Sequence, residues 1–168
     1  MHATTERGVS AAIPSAISGI VDKYRGKPEM LMRMMLEIQA ESNNSVSEEI
    51  ASYVSRAVGI PKAKLYNVTS FYSMFSGEKR GRHIIRMCKS APCHVKGADA
   101  VANAFLAELG IKKAGETSAD GAFTFEFCEC LGVCDASPAA IIGDTVYGNL
   151  SELSVKEIIS TLRKGAEM

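Results

Sequence analysis

At 168 residues, with 46% of side chains hydrophobic, the chain has enough apolar surface to bury a real core without disulfides. Lysine plus arginine and aspartate plus glutamate both number 19, so no net field draws in nucleic acid or an anionic membrane, and neither is expected as a partner. Met1 to Ala12 is polar and lacks an apolar signal-peptide core. No stretch approaches the roughly 20 apolar residues of a membrane helix. An odd five cysteines, gathered in one half, favour metal binding in a reducing compartment over a secreted disulfide framework. The expected address is cytoplasmic, without membrane insertion.

After a start expected to be flexible, residues 1–13, Pro14 sits where a first helical turn tolerates it, and Ile17, Ile20, Val21 and Tyr24 form an apolar face that ends at Gly26. Pro28 opens a second helix, in which Leu31, Met34, Met35 and Ile38 repeat the pattern through Glu41. Met30 and Met32 add to it, and the methionines read as core rather than as an adaptable docking face, because Met fills irregular gaps. Asn43-Asn44 breaks the pattern. Ser45-x-x-Glu48 then reads as a capping box for a third helix, with Ile50, Tyr53, Val54 and Ala57 inward and Gly59 after its end. Ile60-Pro61 opens a shorter fourth helix with Leu65 and Val68 on one face. Phe71, Tyr72 and Phe75 follow before a polar, basic turn, Gly77 to Arg82, where a domain boundary is expected: helical docking domain over 14–80, second domain over 81–168. The aromatics suit either a partner surface or a role pinning the helices onto a sheet.

In the second domain the segments before Cys88 and up to Phe127 are strand-like, and between them Ala98, Val101, Ala102 and Phe105 recur at helical spacing with Gly110 as a stop. That is a βαβ unit. Parallel strands joined by a right-handed crossover have their carboxyl ends at one edge of the sheet, where open α/β sheets place their sites. Ala139 to Ile142 and Thr145 to Tyr147 flank Gly143-Asp144, a hairpin signal of type II′. Ser154-x-x-Glu157 is expected to cap a last helix that buries Val155, Ile158, Ile159 and Leu162, with Gly165 beyond it. The order β-α-β-β-β-α resembles a thioredoxin-like sandwich. The expected fold class is α+β: an N-terminal helical bundle followed by a thioredoxin-like α/β domain.

Each strand of the βαβ unit runs into a cysteine pair: Cys88 and Cys93, spaced C-x4-C, and Cys130 and Cys134, spaced C-x3-C, with 36 residues between the pairs. Four soft thiolates at one sheet edge suit zinc or an iron–sulfur cluster. Zinc ribbons usually carry C-x2-C knuckles, whereas a 2Fe-2S cluster takes its ligands two per iron and tolerates wider loops, so the spacing favours iron. His94 could replace a thiolate, but four cysteines make that unnecessary, and it is read as a helix-start residue. Cys128 reads as a strand-end packing thiol, with a rescue or redox-sensing role open. No G-x-G-x-x-G follows a strand, and no P-loop, Ser/His/Asp set or paired carboxylates stand out, so no NAD or flavin site is expected in this chain.

The runs Met87-Cys88-Lys89-Ser90-Ala91-Pro92-Cys93-His94-Val95-Lys96-Gly97 and Glu129-Cys130-Leu131-Gly132-Val133-Cys134-Asp135-Ala136-Ser137-Pro138 resemble the two cluster loops of the thioredoxin-like 2Fe-2S ferredoxins. The likeness extends through Ile38-Gln39, Gly59-Ile60-Pro61 and Tyr66 to Phe75, covering roughly residues 28 to 165. That family includes the small 2Fe-2S subunit of the NADH dehydrogenase module of complex I and its counterparts in NAD-reducing and electron-bifurcating hydrogenases and NAD-linked formate dehydrogenases. The resemblance implies that Cys88, Cys93, Cys130 and Cys134 hold one 2Fe-2S cluster. It also implies an electron-transfer role beside a larger iron–sulfur subunit that binds FMN and NAD(P)H, with further redox subunits in the same complex. A helix starting at His94 would aim its free N–H groups at the cluster, and Gly97 and Gly132 would let backbone approach sulfur. Two other classes stand beside this one. A thioredoxin-like thiol oxidoreductase could work through Cys88 and Cys93, but it lacks C-x-x-C spacing and leaves Cys130 and Cys134 idle. A zinc-stabilised interaction module is the third.

Overall fold

The structure is a computed structural model and describes residues 13–165. The flexible start expected over 1–13 therefore lies, apart from Ile13, outside the described residues. The chain divides into two compact units, one up to Lys79 and one from Arg80.

The first unit holds helices α1 (Ser15–Tyr24), α2 (Leu31–Ala40, entered through a 3-10 turn, Pro28–Met30), α3 (Glu48–Val58) and α4 (Lys62–Phe71). Its core joins Ile17 and Val21 of α1, Leu31, Met34, Met35 and Ile38 of α2, Val54 of α3 and Leu65 of α4, so the methionines are packing residues. Gln39 is buried and ties α2 to the segment after α4: its amide donates to the Met74 carbonyl at 2.9 Å and its oxygen accepts from the Ser76 N–H at 2.9 Å. Two expectations change here. The cap of α3 is Ser47, whose hydroxyl accepts from the Ile50 N–H, not Ser45. Ser45 instead closes the preceding turn on the Ser42 carbonyl, where Asn43 and Asn44 take left-handed φ values of 54° and 53°. The aromatic group also splits: Phe75 joins the helical core, while Phe71 and Tyr72 meet edge to face at the surface.

The second unit holds β1 (His83–Cys88), α5 (Ala91–Val95), α6 (Ala98–Leu109), β2 (Phe123–Cys128), β3 (Ala140–Ile142), β4 (Thr145–Tyr147) and α7 (Glu152–Gly165). The sheet order is β2-β1-β3-β4, with β1 and β2 parallel and the other pairs antiparallel. The β1 side chains alternate faces, so Ile85 and Met87, with Phe123 and Phe125 of β2, point into a core closed by Val101 and Phe105 of α6 and Val155 and Ile159 of α7. Gly143 turns the β3–β4 hairpin with φ 59°. The last helix starts earlier than its sequence signal: Ser151 and Ser154 cap each other's backbone N–H at 2.8 and 3.2 Å, which puts Ser154 inside the first turn, and Gly165 is the final helical residue. The helix expected from His94 is likewise displaced. Cys93 and His94 lie within the five-residue α5, where the His94 N–H is spent on the Ser90 carbonyl at 3.0 Å, and the long helix begins at Ala98 after Gly97. Among the described residues no helix is long and apolar enough to cross a membrane.

Candidate metal centre

The parallel register pairs Cys88 with Cys128, so both strands end side by side and release their cysteine loops from one edge. Backbone bonds fasten this edge: the Cys88 N–H donates to the Ala139 carbonyl at 3.0 Å and the Lys89 N–H to the Cys128 carbonyl at 3.2 Å. In the first loop Pro92 pre-sets the opening turn of α5, which carries Cys93 inward. Cys88 and Cys93 are each only 2% exposed.

The second loop leaves β2 through Glu129, carries Cys130, and turns at Gly132, whose φ of 80° is a conformation that side-chain-bearing residues avoid. The Gly132 N–H donates to the Cys130 sulfur at 3.4 Å. Nothing lies within 4 Å of a Cβ built at Gly132 or Gly97, so what requires glycine at both is the left-handed turn, and at Gly132 that turn also brings the backbone N–H to the Cys130 sulfur. Cys134 opens a 3-10 turn, Cys134–Ala136, whose first carbonyl accepts from the Ser137 hydroxyl at 2.7 Å. The Cys130 and Cys134 sulfurs stand 3.8 Å apart. A tetrahedral ion with metal–sulfur bonds of about 2.3 Å spaces two thiolates by about 3.8 Å, so this pair already has the span of two ligands on one ion.

The two loops sense each other. Burial, the largest influence on the Cys88 thiol, pushes its pKa up, but hydrogen bonds from the Ser90 backbone, the Cys93 side chain, the Ser90 side chain and the Leu131 backbone outweigh it and hold the thiol below its ordinary value. Leu131 belongs to the opposite loop. Cys134 is raised, first by its hydrogen bond with Cys130 and more weakly by Cys93 and Cys88. All four cysteines named from the sequence are thus electrostatic neighbours. Among the described residues no three Cys, His, Asp or Glu side chains gather about one point. The arrangement is two pairs.

Two charged contacts that sequence reasoning missed tie the loops across the edge: Lys89 to Glu129 at 3.4 Å, and the Lys96 ammonium to the Asp135 carbonyl at 3.3 Å. The first has one sequence signal, a lysine and an acid flanking cysteines of opposite pairs; the second, made to a backbone carbonyl, has none. His94 turns to Asp99, with Nδ1 to Oδ2 at 3.2 Å, both exposed, which suits a surface residue better than a ligand. Cys128 is half-buried, and desolvation first, then Cys88, pushes its thiol up, as a packing thiol would be.

Residues 17–163 match the family model described as thioredoxin-like [2Fe-2S] ferredoxin. The chain is 36% identical over 112 residues to the NADP-reducing hydrogenase subunit HndA of Solidesulfovibrio fructosivorans, a match covering 67% of this chain and 65% of that protein. It is 29% identical over 147 residues to an NADH-quinone oxidoreductase subunit of Rhizobium meliloti (strain 1021), covering 88% of this chain and 86% of the relative. Among solved structures, an NAD+-reducing [NiFe]-hydrogenase in the air-oxidized state shares the fold with a TM-score of 0.66 at 20% identity, over 78% of this chain and 23% of the hydrogenase chain.

Proposed function

The chain belongs to the thioredoxin-like [2Fe-2S] ferredoxin family, and from that premise we propose that Cys88, Cys93, Cys130 and Cys134 hold its one 2Fe-2S cluster as an electron relay in an NAD(P)H-linked oxidoreductase complex. The observation that carries the ligand assignment is the β1/β2 register, which starts both cysteine loops at the same place, with Cys130 and Cys134 at the span of two ligands on one ion. Cysteines arranged as two pairs, two ligands for each iron, fit this cluster better than a lone zinc, which needs four ligands about a single point. The burial of Cys88 and Cys93 speaks against a thiol oxidoreductase, whose attacking sulfur must be reached by substrate.

When bound, the cluster supplies one-electron redox chemistry. Around it the chain's own groups hold sulfur in place: the Gly132 N–H donates to the Cys130 sulfur, and the N–H groups of Ser90 and Leu131 at Cys88 favour its thiolate form. No dinucleotide or flavin motif stands in the sequence, so the partner is a larger subunit that carries FMN and binds NAD(H), with further redox subunits beyond it, and the complex works in the cytoplasm. The helical unit is its docking element, because α4 and the turn after it present Tyr66, Phe71, Tyr72 and Met74 to solvent, Phe71 at 79% exposure.

The test is direct. Serine at any of the four ligand positions should deplete iron and acid-labile sulfide, whereas Cys128→Ser should stay coloured; the reverse outcome overturns the assignment. A strong chemical reductant should bleach the isolated chain and NADH should not, until the flavin-bearing partner is added. Rapid bleaching by NADH alone would mean a nucleotide site in this chain. Phe71→Ser in the full chain should lower co-purification of the partner with the cluster spectrum unchanged, and undiminished binding would remove the docking role.

A further inference from the structure

Past Cys134 the second cysteine loop runs through Asp135, Ala136 and Ser137, and the segment after β4 lies directly on it. The Asn149 N–H donates to the Ala136 carbonyl at 2.6 Å and the Leu150 N–H to the Pro138 carbonyl at 3.0 Å. Gly148 approaches so closely that a Cβ there would lie 2.7 Å from the Ala136 Cβ and 2.9 Å from its carbonyl oxygen. Asn149 holds a left-handed φ of 50°, which Asn tolerates better than most residues, and Leu150 is buried in the core of this unit. The segment is therefore anchored at Leu150, turned at Asn149 and pressed to the loop at Gly148.

What it presses on leads straight to a ligand. Within the 3-10 turn the Ala136 N–H donates to the Val133 carbonyl at 3.0 Å, and the Ser137 N–H and hydroxyl both reach the Cys134 carbonyl, at 3.4 and 2.7 Å. Asp135 is held from the other loop by Lys96. A turn this short has no slack, so a displacement of Ala136 is passed to Cys134 and to its 3.8 Å separation from Cys130.

We propose that Gly148 and Asn149 are positioning residues for the metal centre: they set the place of Cys134 relative to Cys130 through Ala136, from outside both cysteine loops. The proposal rests on the four-cysteine reading above. It predicts a change in the electronic signature of the bound cluster, beyond any change in stability of the fold.

The experiment uses the full chain reconstituted with iron and sulfide. Gly148→Ala should bind iron but alter the EPR spectrum of the reduced protein, shift its midpoint potential and release iron to a chelator about 10- to 100-fold faster. Adding Ala136→Gly, which removes the methyl that the new Cβ would strike, should move all three back towards wild type. Gly81→Ala is the control: its Cβ would lie 2.6 Å from the Phe123 backbone carbon at the far end of β1, a clash that should lower melting temperature and leave EPR and potential unchanged. Should Gly148→Ala fail to fold, Asn149→Ala carries the test, since it keeps the backbone bonds and strains only φ; it should shift EPR and potential in the same direction by less. Wild-type EPR and potential in both Gly148→Ala and Asn149→Ala, or an equal spectral change in Gly81→Ala, overturns the positioning role. If Cys130→Ser and Cys134→Ser retain full iron, the ligand reading fails and the proposal with it; if they lose iron while Gly148→Ala and Asn149→Ala both match wild type, only the positioning role fails.

Discussion

Phe125 is the residue on which the second unit's core turns. It is fully buried on β2, with ring centroids 5.6 Å from Phe105 of α6 and 5.3 Å from Phe127. Its Cα pairs with Ile85 of β1, so it stands between the two strands that deliver the cysteine loops and the helix that crosses between them. Truncation to alanine removes the ring and leaves a cavity in the core that α6 and α7 close over the sheet, at a cost of about 3–5 kcal/mol. A unit of this size has a total stability of about 4–13 kcal/mol, so the loss is a large share of it. Native-state hydrogen exchange on the cluster-loaded full chain reads the effect locally. At about 1.4 kcal/mol per tenfold, amides of β1 and β2 should exchange about 10²- to 10⁴-fold faster in Phe125→Ala. Peptides from α1 and α2, whose core is separate, should not move and serve as the internal control. A rise below tenfold in β1 and β2, or an equal rise in the helical unit, would refute the reasoning.

Three further outcomes follow from particular contacts. Lys23 first, then Tyr24, hold the Glu37 carboxyl at about 2 against an ordinary 4.5; a depressed carboxylate stabilises the fold above the ordinary value and loses that contribution as pH falls towards the depressed one, so Glu37→Gln should flatten the acid limb of the helical unit's melting profile. Parallel acid limbs in variant and wild type would dismiss the contact as an energetic one. Gln39→Leu leaves the Met74 carbonyl and the Ser76 N–H without their side-chain partner, which should cost about 1–3 kcal/mol in urea titration of the helical unit; a neutral result would mean that water replaces the amide. Ser47→Ala removes the cap of α3 and should cost about 1 kcal/mol, whereas Ser45→Ala should leave the helix start unaltered by hydrogen exchange.

The elements legible in the sequence are those whose cause is local and repeated. Ile17, Val21 and Tyr24, or Val101, Ala102 and Phe105, announce a buried helical face several times over, and the structure buries them. Helix starts are legible only to within a few residues, because two serines precede α3 and two stand at the head of α7. Which of them caps depends on the backbone before it: the left-handed pair Asn43 and Asn44 uses up Ser45, and at α7 a reciprocal bond draws Ser154 into the first turn with Ser151.

At the candidate centre the same division runs between chemistry and approach. A thiolate is a rare and distinctive ligand, so four cysteines behind two strand-like runs point to a metal before any fold is known. The residues that hold those cysteines in place carry no such mark. Gly148 is one of 14 glycines and stands in sequence beside an ordinary hairpin, close to Gly143, whose own role is the turn that sequence reasoning assigns to it. What separates the two is the Ala136 methyl, close enough to leave no room for a side chain, and nothing within a few residues of Gly148 encodes it. Support of this kind arises when β4 and the cysteine loop are brought together by the sheet, so it is a property of the register that pairs Ala140 with Tyr147 and Met87. A change that slips this register should therefore disturb the metal centre even with every cysteine intact.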